Sequence, residues 1–160
     1  MPIVSAENNF KSGLEALVDQ DFVVATMHFR RAMDIEHQRR VTQPDMRYLS
    51  YYGLCRAKAH GKIQEGLHAC KRAVRMRSRD PEMYLNLGRI HLQARQSRSA
   101  FEAFRRGLEV EPEHSVLRLE FTRLEKRLPA KFTRASNPAS RAGFFSRVRA
   151  AWSRPAEFSR

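Results

Sequence analysis

Residues 80–112 read DPEMYLNLGRIHLQARQSRSAFEAFRRGLEVEP, and this stretch decides the architecture. Asp80 is a good N-cap and Pro81 a good first helical residue, because proline's missing N–H costs nothing in the first turn. Met83 and Tyr84, then Leu87 and Ile90, follow at steps of three and four, the period of one helix face, and Leu92 belongs to the same helix. Ser97 is the expected cap of a second helix bearing Ala100, Phe101, Phe104, Leu108 and Val110, which Glu111-Pro112 ends. Two helices joined by a short turn form an αα-hairpin.

Working outward, the same spacing returns. Leu49, Tyr52, Gly53, Gly66, Cys70 and Ala73 repeat the pattern with one extra residue in the turn around Gly61. Gly13, Ala25, Phe29 and Ala32 give an earlier unit that lacks an aromatic in its first helix. Val116, Leu117, Leu119, Phe121, Leu124 and Leu128 predict a last helix over about 114–128, which Pro129 stops and which closes the open end of a stack.

Tyr84, Leu87, Gly88, Ala100, Phe104 and Pro112 stand at the spacing of the tetratricopeptide repeat, and residues 6–128 resemble that family. His91 stands where the family usually has tyrosine, and Gly107 where it usually has alanine. The resemblance implies an all-α fold, a right-handed superhelix of three helix-turn-helix repeats (about 6–39, 46–80 and 81–114) plus the capping helix. It also implies a concave groove lined by the first helix of each pair. The length and three-repeat plan are similar to those of type III secretion translocator chaperones, whose usual acidic balance this chain lacks.

Carrying the family's groove positions across gives Phe10, Leu14, Leu17 and Val18 from the first repeat. The second supplies Arg47, Ser50, Tyr51, Leu54 and Lys58, and the third Leu85, Asn86, Arg89, Leu92 and Gln93. The last helix adds Leu119, Arg123 and Lys126. Leu54, Leu85 and Leu92 fit a groove or the packing inside the stack equally well. A surface of this kind suits a protein or peptide partner with apolar anchors and some acidic character. Of the Lys/Asn set with which one branch of the family clamps a C-terminal carboxylate, only Asn86 is present, so carboxylate clamping is not expected.

The 160 residues fit one domain with a tail, and 42% hydrophobic residues are enough for a core. The charge is uneven. Residues 129–160 hold seven basic residues against Glu157, a net +6 of the chain's +13. Asn137-Pro138 is a credible helix start, and Phe144, Phe145, Val148, Ala151 and Trp152 fall at helical steps with Arg141, Arg147 and Arg149 largely off that stripe. The tail thus reads as a C-terminal basic amphipathic helix, with Phe144, Phe145, Arg147, Val148, Arg149 and Trp152 as its contact residues. Such a helix docks on its own repeats, lies on an anionic membrane or in a partner's groove, or binds nucleic acid through arginine and aromatic stacking.

Catalytic and metal chemistry find no footing. The six histidines form no HExxH or zinc spacing, and no phosphate-binding or nucleophile-elbow motif occurs. Cys55 and Cys70 read as reduced core residues, and no stretch has the length and apolarity of a membrane span or signal segment. The expectation is a non-enzymatic cytoplasmic adaptor or chaperone without a cofactor or metal, for which self-association through the ends of the stack is open.

Overall fold

The computed structural model describes residues 5–77 and 79–129. They form seven helices: α1 (Ala6–Val18), α2 (Phe22–Gln38), α3 (Met46–His60), α4 (Ile63–Met76), α5 (Pro81–Gln93), α6 (Ser97–Val110) and α7 (Ser115–Arg127). The caps are largely those the sequence announces. Asp21, Asp45 and Asp80 accept hydrogen bonds from the backbone N–H of Val24, Arg47 and Glu82, and Ser5 does so from Asn8. Ser97 does not cap α6. Gln96 holds that position without a side-chain cap bond, and its amide oxygen instead lies 2.7 Å from Nδ1 of buried His91.

Helices pair as α1–α2, α3–α4 and α5–α6, and each second helix also packs on the first helix of the next repeat. Close approach explains the small residues. A Cβ on Gly13 would stand 2.5 Å from Phe29, and one on Gly88 would stand 2.2 Å from Phe104, so the same ring lies flat on the same bare backbone in repeats one and three. Repeat two reaches the same end differently. Its phenylalanine position is Cys70, and a Cβ on Gly66 would meet the Gly53 carbonyl at 2.5 Å, so two facing glycines bring α3 and α4 together.

The turn inside each repeat passes through the left-handed region at one residue: Gln20 (φ 60), Gly61 (φ 63) and Arg95 (φ 58). Only Gly61 adopts that conformation without a Cβ penalty.

The core runs the length of the stack. Phe10, Phe29 and Tyr48 fill its N-terminal end, Leu54, Leu67 and Ile90 its middle, and Phe101, Phe104, Leu108 and Phe121 its C-terminal end. Phe101 and Phe121 stack with centroids 4.7 Å apart, which fastens α7 onto α6. Within α7, Leu117, Phe121 and Leu124 are buried as expected, whereas Leu119 is 49% exposed. Cys55 and Cys70 are buried free thiols, and burial is the main reason both are pushed up to about 12. No helix of the described residues is long and apolar enough to cross a membrane.

Candidate binding groove

First helices touch one another along the inside of the stack, α3 against α5 and α5 against α7. Second helices reach the neighbouring repeat only through its first helix, which puts α2, α4 and α6 on the outer, convex side. The concave side holds a groove of about 550 Å³ lined by Leu17, Gln20, Phe22, Leu54, Lys58, Arg89, Leu92, Gln93 and Glu120. Four first helices and the α1–α2 turn contribute to it.

The sequence-based candidates divide into three sets. Leu54, Lys58 and Arg89 line the groove together with Leu17, Leu92 and Gln93. Leu54 is only 2% exposed and forms the floor, while Lys58 is exposed and Arg89 half-buried. Neither cation has an ion pair among the described residues, and Glu120 is the one carboxylate that shares the lining with them. Gln93 donates from Nε2 to the Ala57 carbonyl at 2.8 Å, tying α5 to α3 along the floor.

A second set builds the opposite half of the concave side into a closed wall. Phe10 is 4% exposed, with its ring 5.1 Å from Tyr48 and 5.5 Å from Tyr51, and the Arg47 guanidinium lies over it at 4.8 Å. Arg47 also pairs with Asp45 at 2.7 Å and Glu7 at 3.3 Å, so its charge is already spent within the protein. Tyr51 donates to Glu82 Oε2 at 3.0 Å, and Glu82 Oε1 lies 2.9 Å from His114 Nε2. His114 caps α7 by accepting the Leu117 N–H at Nδ1, which leaves its proton on Nε2 to bond Glu82. Leu14 is half-buried against the aromatic cluster beneath.

The third set is a correction. Leu85 and Asn86 do not line a surface: they are 2% and 0% exposed. Leu85 belongs to the Phe101–Phe121 core because α7 lies over it. Asn86 Nδ2 donates to Ser50 Oγ at 3.2 Å, and the Cys70 thiol donates to the Ser50 carbonyl at 3.1 Å, a polar seam between repeats two and three. Helical spacing reports which way a side chain points, not how closely the next helix approaches it. Sequence reasoning missed Gln20, Phe22 and Glu120. Glu120 stands at the helix position of Tyr51 and Asn86, one residue beyond the Leu119 that was selected, and that register was the available signal. The tail candidates Phe144, Phe145, Arg147, Val148, Arg149 and Trp152 lie outside the described residues.

The groove can hold a slender apolar segment on Leu17, Leu54 and Leu92 while Lys58 and Arg89 attract carboxylates. Among the described residues no group of His, Cys, Asp or Glu could hold a metal ion.

No protein-family model matches the sequence, and no curated protein matches it significantly. Solved structures do match. The TPR domain of Arabidopsis OM64 superposes with a TM-score of 0.62 at 17% identity, covering 78% of this chain and 97% of that one. The Yersinia enterocolitica type III secretion chaperone SycD, in complex with a peptide of the translocator YopD, gives 0.57 at 14% identity, with 79% and 98% covered. PcrH from Pseudomonas aeruginosa gives 0.58 at 16% identity, with 83% and 99% covered. The chain therefore has the tetratricopeptide-repeat fold.

Proposed function

We propose that this protein is a non-enzymatic adaptor or chaperone that binds a segment of a partner protein in the concave groove. One observation carries the reading: Lys58 and Arg89, neither held in an ion pair and outnumbering the single carboxylate Glu120, stand beside an apolar floor made by Leu17, Leu54 and Leu92. Cations free of ion pairs next to apolar surface favour a peptide with hydrophobic anchors and an acidic residue between them. The groove's volume is within the range of ligand clefts. SycD, which shares the fold, was solved with a bound translocator peptide, and PcrH with the chaperone-binding region of PopB, which supports a peptide-binding use of this scaffold.

The test is site-specific photocrosslinking in host lysate from Gln93, in the groove, and from Arg106, on the convex side. A discrete adduct formed from Gln93 alone and weakened roughly tenfold or more by K58E with R89E supports the assignment. Adducts from Arg106 only, or a groove adduct indifferent to charge reversal, would overturn it.

A further inference from the structure

The convex side carries charge in register with the repeat. In each repeat a small buried residue of the second helix packs against the first: Ala25, Gly66 and Ala100. Five and six residues after each stand two adjacent cations: Arg30 and Arg31 on α2, Lys71 and Arg72 on α4, Arg105 and Arg106 on α6. Five of these six are exposed, and Arg105 is half-buried.

Compensation of this charge is thin. Arg105 is held by Glu102 and Glu109. The other five have no ion pair among the described residues. On α4 the bias is greatest, because residues 66–79 contain five cations and no carboxylate. Arg75 extends the second rung, and in the segment beyond α4 Arg77 is drawn aside, to Asp45 at 3.7 Å. Cations in the last turn of a helix complement its dipole, which accounts for Arg75 but not for doublets recurring on three helices. Arg30, Arg31 and Arg39 also line a depression of about 660 Å³ on the outer side of α2, with Asp34 the one carboxylate in that lining.

From this ladder we propose that the convex face is a second binding surface, for the phosphodiester backbone of a single-stranded nucleic acid. Five of the six cations are arginine, whose planar fork matches phosphate oxygens in pairs. A flexible polyanion follows a convex surface from rung to rung, whereas a flat bilayer meets a convex surface over one rung. The exposed large apolar side chains of these three helices, Val23, Val24 and Met27 on α2, Met76 on α4 and Val110 on α6, are scattered over separate helices, and α4, where the cations are densest, carries only Met76. The described part of this face presents no exposed Phe, Tyr or Trp ring to stack on bases, so recognition is of the backbone and independent of sequence. This surface is separate from the groove and does not depend on the groove's use.

The experiment titrates the full chain with a fluorescein-labelled oligouridylate at several salt concentrations. Parallel arms use phosphatidylserine vesicles and polyglutamate, and circular dichroism confirms that each variant is folded. Binding is expected to weaken steeply with salt. The log–log slope is expected to fall by roughly 0.7 for each phosphate contact removed, about 1.4 for K71Q with R72Q. R106Q, an exposed single change on another rung, is expected to take away a further single step. The tail is present throughout, so its contribution is common to all variants. An unchanged slope in these variants would overturn the proposal, as would vesicles or polyglutamate binding through the same residues when the oligouridylate does not.

Discussion

Tyr51 of α3 donates its hydroxyl hydrogen bond to Glu82 of α5 at 3.0 Å, bridging two first helices across the concave side. Glu82 extends the bridge to His114 at the head of α7. Repeats two and three and the capping helix are thus tied along one edge, and the space left for a partner lies over the C-terminal halves of the first helices. Burial and the neighbouring Glu82 carboxylate both push the Tyr51 phenol upward, so it remains the proton donor.

Tyr51→Phe keeps the ring in its aromatic cluster and removes only the bridge. Because the Glu82 side chain is 37% exposed and can take water instead, the cost is expected to be modest, about 1 kcal/mol in urea unfolding. A loss below the error of the measurement would mean the bridge contributes nothing to stacking.

Gly88→Ala improves helix propensity by about 1 kcal/mol in isolation. Here the added methyl meets Phe104 at 2.2 Å, so overpacking is expected to dominate, with a net loss of about 1–3 kcal/mol. Adding Phe104→Leu, which removes the ring from that contact, is expected to recover part of the loss. Thermal denaturation of the two variants decides it.

Leu85→Ala is expected to cost about 2–5 kcal/mol, as a fully enclosed core position does. Leu92→Ala, whose side chain is half-buried on the groove wall, is expected to cost less and to weaken the groove crosslink more. Chemical denaturation and crosslink yield, measured on both variants, should rank the two residues in opposite orders.

Arg95 holds φ at 58, where a Cβ is unfavourable by roughly 1–2 kcal/mol. Arg95→Gly relieves that strain and is expected to raise the melting temperature, by a gain that Gly's greater unfolded-state freedom reduces. Gly61→Ala tests the converse: nothing lies within 4 Å to obstruct the methyl, so any loss reports backbone conformation alone.

Burial holds the His91 imidazole below its usual 6.5, with Lys71 pressing the same way against the opposing Gln96 hydrogen bond. The unfolded chain therefore binds that proton more readily than the folded one. Stability is expected to fall as pH drops below about 6.5 and towards the folded value, and to be fully present above it. His91→Gln should flatten this part of the pH profile in urea melts.

How much of this was legible beforehand follows from what each signal encodes. Gly13 with Phe29 and Gly88 with Phe104 sit at a fixed spacing, so the helix pairs and their frame could be read directly. Asp80, followed by Pro81, marked the start of α5, and the structure shows Asp21 and Asp45 capping α2 and α3 in the same way. Ser97 misled because a good capping residue stood one place inside the helix, where Gln96 was already engaged by His91. Leu85 and Leu54 share a helical face and are equally buried, yet only Leu54 borders the groove.

Local sequence thus determined the seven helices, their pairing and the uneven charge, because caps, helical period and small-residue contacts act within tens of residues. Tertiary structure alone decided which side chains remain available. Whether Arg47 is spent on Asp45 and Glu7 while Arg89 is left out of any ion pair depends on how neighbouring repeats curve together. That curvature is a property of the stack, written in no single repeat.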